Sequence, residues 1–149
     1  MRAVVQRVSE ASVVVEGEVA GRIGPGLCAL VGVAQGDTSL DAEWMSAKVL
    51  ELRIFEDEQG KMNRSLLDTQ GALLAVSQFT LLGDARTGRR PAFTAAARPE
   101  EAQLVYQKFC ALCRERGVTV AEGVFRATMQ VRIVNEGPVT LLLDSRKTF

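Results

Sequence analysis

The sequence predicts an α+β fold, a single domain over residues 1–149 with a curled, barrel-like β-sheet and two main helices. Three observations predict it. The first third of the chain alternates short β-branched runs with turn residues. Two segments of helical spacing interrupt the strands instead of alternating with them one for one. No internal repeat, low-complexity stretch or long linker divides the 149 residues.

The elements follow in order. Ala3–Val8 alternates loosely, Ser12–Val15 is β-branched, and Glu16-Gly17 makes a tight turn into Glu18–Ile23. Gly24-Pro25-Gly26 breaks the chain before the buried-strand run Leu27–Val33. Thr38 with Asp41 has the form of a capping box and opens a helix to about Leu52. Its apolar stripe is expected along Leu40, Trp44, Ala47 and either Leu50 or Glu51. A polar turn, Phe55–Lys61, precedes the strand Ala72–Val76, which runs on into Ser77-Gln78-Phe79-Thr80-Leu81.

Gly83 to Pro91 reads as a long polar loop carrying Arg86, Arg89 and Arg90. Pro99 suits a first helical turn, and Glu100 and Glu101 suit the positive end of a helix dipole. That helix runs to Gly117, with Ala102, Val105, Tyr106, Phe109, Leu112 and Cys113 on one face. Val118–Val120, Met129–Val134 and Val139–Leu143 read as closing strands.

Composition narrows the chemistry. The chain is 47% apolar, balances 18 basic against 18 acidic residues, and has no histidine. Ser-His-Asp and Cys-His catalysis, His-ligated zinc and the usual neutral-pH proton shuttle are therefore excluded. The balanced charge argues against broad adhesion to nucleic acid or membrane, while leaving room for a local basic patch. Three cysteines cannot all pair with one another and suit a reducing compartment. The longest apolar run, Leu27–Ala34, is far too short for a membrane span, and the first seven residues lack the form of a signal peptide. A cytoplasmic setting is expected.

Cys110 and Cys113 form a C-x-x-C, but they lie one helical turn apart within an amphipathic pattern and near a helix end. No second Cys or His pair completes a zinc site, so both read as core residues, as does Cys28 inside its apolar strand. No paired-carboxylate site is discernible: Asp57 and Glu58 belong to a turn, Glu100 and Glu101 to a helix start. Neither a metal nor a cofactor is called for.

Two segments invite a chemical reading. In Ser77-Gln78-Phe79-Thr80 an apolar strand ends in three hydrogen-bonding side chains around one aromatic. This is either a strand becoming an exposed edge or a neutral site able to hold a carbonyl or sugar hydroxyls. Asn135-Glu136-Gly137-Pro138-Val139-Thr140 is either a hairpin turn or a fixed backbone presentation at a Gly-Pro bond. Local sequence leaves both pairs open.

These two segments together resemble the S-Q-F-T-L and N-x-G-P-x-T motifs of the D-aminoacyl-tRNA deacylases, also called D-tyrosyl-tRNA deacylases. The resemblance extends over essentially the whole chain, through Gln6-Arg7-Val8, Ala11-Ser12-Val13, Arg53-Ile54-Phe55, Gly60-Lys61-Met62-Asn63 and Arg90-Pro91 with Phe93. It implies a cytoplasmic homodimer that hydrolyses the ester between a D-amino acid, or mischarged glycine, and the 3′-terminal adenosine of tRNA. The partners implied are aminoacyl-tRNA and a second copy of the chain, with no membrane and no DNA.

Residue by residue, the resemblance assigns Ser77, Gln78, Phe79 and Thr80 to the pocket floor, with backbone amides there forming an oxyanion hole. Gly137-Pro138 becomes a Gly-cisPro element that reaches into the partner's pocket and excludes L side chains, with Arg7 supporting it. Phe125, Met129 and Asn135 become substrate-binding residues, Phe125 by stacking on the terminal adenosine. Thr80 is either a nucleophile or a positioning group; without a histidine to activate it, the substrate's own ribose 2′-hydroxyl is the favoured activator of water. Arg86, Arg89, Arg90 and Arg98 are either phosphate contacts or a solvated surface. One stretch departs from the family's usual F-G/A-A-D-M: Arg126 replaces a small residue and Thr128 an Asp, which bears on the pocket wall and leaves both motifs intact. The rival reading is a binding homodimer of the same fold without activity.

Overall fold

Two long antiparallel strands organise the sheet. A computed structural model describes residues 1–149, and in it β1 (Arg2–Val15) lies against β8 (Gln130–Asp144) from Arg2↔Asp144 to Val14↔Gln130. The other edge of β1 is shared. Its first half pairs with β3 (Gly26–Gly32) and its second half with β2 (Glu18–Ile23). The β1–β2 loop places Glu16 and Gly17 at φ 50° and 80°, the double left-handed turn that matches strand twist.

Beyond β3 the sheet continues in parallel through β6 (Ala72–Ser77) to β7 (Val120–Glu122). It curls so far that β2 returns to β7: a Cβ on Gly21 would collide with the Glu122 carbonyl oxygen. The result is the nearly closed, barrel-like α+β architecture that the sequence predicts. The alternation of β3 and β6 feeds two cores. Leu27, Ala29, Val31, Leu73 and Ala75 face the helices, while Cys28, Leu74 and Val76 join Val8, Ala11, Val13 and Ile23 inside the curl.

Helices α1 (Ser39–Glu51) and α3 (Pro99–Glu115) cover the outer face of this sheet. The Thr38–Asp41 capping box forms, and Pro99 opens α3 as predicted. The stripe predicted for α1 is out of phase. Ala42, Met45, Ser46, Val49 and Leu50 are buried, whereas Leu40 is 70% exposed and Trp44 only half-buried. Small Ala42, flexible Met45, Val49 and Leu50 make the close contact with the rest of the core, so of the predicted stripe Leu50 alone is fully buried, while Leu40 and Trp44 lie to the side.

Between α1 and β6 the chain forms a small hairpin, β4 (Phe55–Glu56) with β5 (Met62–Arg64), and the one-turn helix α2 (Leu66–Thr69), neither of which was predicted. The polar turn Phe55–Lys61 belongs to that hairpin. Asp57 accepts from the N–H groups of Gln59 and Lys61 and from the Asn63 amide, which holds its carboxyl below the usual range. Cys28, Cys110 and Cys113 are free and buried, and burial pushes each thiol up to about 12. No helix is long and apolar enough to cross a membrane.

The last two predicted strands are one. β8 runs unbroken through Asn135–Thr140, so this segment is not a hairpin turn. The ladder to β1 passes from Gln6↔Thr140 to Val8↔Asn135, which leaves Glu136–Val139 bulged out opposite Arg7.

Candidate active site

The motif Ser77–Leu81 straddles a change of backbone. β6 ends at Ser77, Gln78 is held by its N–H donating to the Val31 carbonyl at 2.7 Å, and a 3₁₀ turn follows over Phe79–Leu82. The first hydrogen bond of that turn runs from Leu81 N–H to the Gln78 carbonyl at 3.3 Å. The N–H groups of Phe79 and Thr80 precede it, and no side chain caps them. β6 lies between β3 and β7 only as far as Ala75; from Val76 on β3 alone pairs with it, so the motif leaves the sheet where its other edge is open.

A cavity of about 790 Å³ opens here, beyond the carboxyl ends of the parallel strands β3 and β6. Ser77, Gln78, Phe79 and Thr80 line it, and so do Phe125 and Met129 from the segment between β7 and β8. Phe93 adds an aromatic edge, meeting Phe79 at 5.3 Å between ring centroids and 72° between planes. Tyr106 of α3 forms the back wall beside Phe125, its hydroxyl donating to the Ala75 carbonyl at 3.0 Å. Sequence reading placed Tyr106 in the core alone and gave Phe93 no role. The signal available for Phe93 was its place in the family resemblance, beside Arg90-Pro91.

The electrostatics of this cavity are those of neutral groups. Burial pushes the Tyr106 phenol far above its usual range, and Arg126 is the one charged side chain in the lining. Thr80 is exposed, and none of the side chains lining the cavity with it is a general base near neutral pH. What the site offers is aromatic surface, neutral side-chain hydrogen bonding and uncapped backbone N–H groups. These suit a polar, uncharged reacting group such as a carbonyl.

The second motif sits elsewhere. Arg7 is buried on β1, with Nη1 donating to the Ile54 carbonyl at 2.8 Å and Nε to the Glu136 carbonyl at 3.1 Å. Gly137 adopts φ 114° against this guanidinium, and the Gly137-Pro138 peptide is cis and exposed. Asn135 closes the bulge: with its amide assigned the orientation that satisfies its neighbours, the nitrogen donates to the Arg7 and Val139 carbonyls at 2.9 and 3.1 Å, while the oxygen accepts from the Thr140 hydroxyl and Gln6. Arg7, Asn135, Gly137 and Pro138 thus form one cluster, and none of them lines the cavity of its own chain. Of the loop arginines, Arg86 is held by Asp84 at 2.6 Å, and Arg89, Arg90 and Arg98 are exposed.

Comparison with known proteins is consistent along the whole chain. The family model described as D-Tyr-tRNA(Tyr) deacylase matches residues 4–144. The D-aminoacyl-tRNA deacylase of Bacillus velezensis is 57% identical over 147 residues, covering 99% of this chain and 100% of that protein. The one from Kosmotoga olearia is 59% identical over 149 residues and the full length of both. Among solved structures, the c-Myc DNA Unwinding Element Binding Protein superposes with a TM-score of 0.90 at 44% identity, over 97% of this chain and 98% of that one. A probable eukaryotic D-amino acid tRNA deacylase shares the fold at a TM-score of 0.79 and 20% identity, over 95% and 97% of the two chains. By family model and full-length identity, the chain belongs to the D-Tyr-tRNA(Tyr) deacylase family.

Proposed function

We propose that the protein hydrolyses the ester of D-aminoacyl-tRNA, and of glycine mischarged onto tRNA, releasing free amino acid and tRNA as a chiral proofreading step of translation. Residues 1–149 act as one unit and as a homodimer. The observation that carries the reading is the neutral cavity with Ser77–Thr80 at one end and the Phe79, Phe93 and Phe125 rings around it, in a chain of this family.

The terminal adenosine occupies the aromatic part of the cavity, against Phe125 and Met129. Its ester carbonyl faces the N–H groups of Phe79 and Thr80, which stabilise the oxyanion as water adds to the carbonyl carbon. The ribose 2′-hydroxyl orients that water and relays its proton; the bond from carbonyl carbon to the 3′ oxygen then breaks, and the proton ends on that oxygen. Thr80, Ser77 and Gln78 position the ester. Thr80 does not attack it, because it has no base to take its proton.

Gly137-Pro138 acts in the partner's cavity, which accounts for its absence from the cavity of its own chain. Its backbone fills the space that an L side chain needs, so selection works by exclusion, and glycine, with nothing to exclude, is accepted. Asn135 acts with it by fixing the bulge, and Arg7 is its positioning residue. The reaction needs no cofactor and no metal.

The test is release of amino acid from matched D- and L-aminoacyl-tRNA. Rapid hydrolysis of the D ester and of glycyl-tRNA is expected, with the L ester left intact. Equal hydrolysis of D and L, or of neither, would overturn the reading; in the second case a tRNA-binding homodimer of this fold remains.

A further inference from the structure

Arg126 differs from every other residue of the cavity. It is the only charged side chain in a lining otherwise made of apolar and neutral polar groups. It is exposed, and no carboxylate pairs with it. It also adopts a backbone conformation that its side chain disfavours. Val124–Ala127 is a four-residue turn closed by Ala127 N–H donating to the Val124 carbonyl at 3.1 Å, and Arg126, third in the turn, has φ 67°. A positive φ at that position is the type II pattern, which glycine adopts freely and an arginine does not. A strained cation thus stands at the edge of a neutral pocket, next in sequence to Phe125.

We infer that Arg126 binds the phosphodiester on the 5′ side of the substrate's terminal nucleoside. This rests on the proposed reaction. An aminoacyl ester presents a neutral carbonyl and a basic amine, so its acyl end has nothing anionic to attract an arginine. The first anion along the substrate is the phosphate joining the terminal nucleoside to the rest of the RNA. With the nucleoside against Phe125, an arginine one residue further on is placed to meet that phosphate through its planar, forked donors. Arg126 is therefore a binding determinant: it anchors the nucleotide and takes no part in bond breaking.

The test compares three D-aminoacyl esters: D-aminoacyl-tRNA, the 3′ ester of adenosine 5′-monophosphate, and the 3′ ester of adenosine, which lacks the phosphate. Arg126→Gly is expected to raise KM about three- to tenfold for the two phosphate-bearing esters, and kcat less. KM for the adenosine ester should match wild type. Arg126→Lys should recover part of the loss, and the salt dependence of kcat/KM on tRNA should become shallower by about 0.7 in log–log slope. Thermal stability of Arg126→Gly should rise, because the turn is relieved of strain; a merely structural arginine would not raise stability and KM together.

An equal KM change for the phosphate-free ester would overturn the inference in favour of wall packing. So would an unchanged KM with weaker inhibition by free D-amino acid, which would assign Arg126 to the product carboxylate. If wild type cleaves none of the esters, the reaction is wrong. Binding of adenosine 5′-monophosphate against adenosine then decides for Arg126 alone: a wild-type preference for the phosphate that Arg126→Gly abolishes supports it, and no preference overturns it.

Discussion

The guanidinium of Arg7 occupies the space that a side chain on Gly137 would need: a Cβ there would lie 2.5 Å from Arg7 Nη2. The same side chain donates to the Glu136 carbonyl in the bulge of β8 and to the Ile54 carbonyl just after α1. One buried arginine therefore ties three distant segments together and sets where Gly137-Pro138 stands.

Gly137→Ala should destabilise the fold by about 1–3 kcal/mol, because φ 114° is unfavourable for any residue with a Cβ and the methyl meets the guanidinium. Urea unfolding checks this, read as a lower midpoint with an unchanged slope. A variant as stable as wild type would show that the bulge yields easily and that Arg7 does not hold it.

Arg7→Ala removes both donors and leaves two carbonyl oxygens to find new partners, at a cost of about 1–3 kcal/mol for each that stays buried. Its effect on turnover should be selective. With Gly137-Pro138 loosened, hydrolysis of L-aminoacyl-tRNA should rise while the D rate falls little, so that the D-over-L ratio of kcat/KM drops at least about tenfold, roughly the effect of losing one well-placed contact. Arg7→Lys keeps the charge but not the fork and should fall between the two. Equal loss on both esters would reduce Arg7 to a structural residue.

Thr80→Ala should keep its single-turnover rate within about tenfold of wild type. Removing a true nucleophile typically costs several orders of magnitude, and Thr80 lies in a chain without histidine, in a cavity whose only ionisable side chains are Arg126 and a strongly raised Tyr106. Replacing the terminal ribose 2′-hydroxyl with hydrogen, in a substrate whose ester is fixed at the 3′ position, should slow hydrolysis far more. The reverse ranking would make Thr80 the nucleophile.

What the sequence disclosed follows the range of the interactions involved. The Glu16-Gly17 turn, the Thr38–Asp41 cap and Pro99 at the head of α3 depend on neighbours within a few residues, and each was legible. The phase of α1 was not, because Ala42 and Met45 are buried by what α3 and the sheet bring against them. Asn135–Thr140 could be read as a hairpin turn or as a fixed Gly-Pro presentation, because Asn, Gly and Pro are local turn formers and nothing nearby decides between the two. Its real partner is Arg7, 129 residues away from Glu136, and only the fold brings them together. The candidate site divides in the same way. Ser77–Thr80, Phe125 and Met129 were reached through motif resemblance, whereas Phe93 and Tyr106 join the cavity through a loop and a helix whose positions no local pattern encodes.

Cys110 and Cys113 should resist alkylation in the folded protein at pH 8. Burial holds both thiols near 12, so almost no thiolate is present, and little surface is open to a reagent. Iodoacetamide labelling followed by mass spectrometry should give full modification only in denaturant. The double alanine variant should deacylate at the wild-type rate while losing about 1–3 kcal/mol of stability to the small cavities left behind. Lost turnover in a folded double variant would revive a thiol-dependent reaction.

Asp144 should make the protein acid-sensitive. Burial alone would raise its carboxyl, but hydrogen bonds from the Thr148 hydroxyl and the Arg146 N–H outweigh burial and hold it below the usual carboxylate value. A group whose folded value is depressed stabilises the fold fully above its unfolded value, near 4, and loses that contribution as pH falls through the folded one. Arg2 lies beside it at 3.5 Å, in register across β1 and β8, so protonation loosens the ends of the two organising strands together. Asp144→Asn removes the charge in advance. Its stability should lie below wild type at pH 7, and the gap should narrow as pH falls below about 4. Urea midpoints measured from pH 7 to pH 2.5 test this. A gap that stays constant over the range would mean that Asp144 contributes through packing and neutral hydrogen bonding, with its charge playing no part.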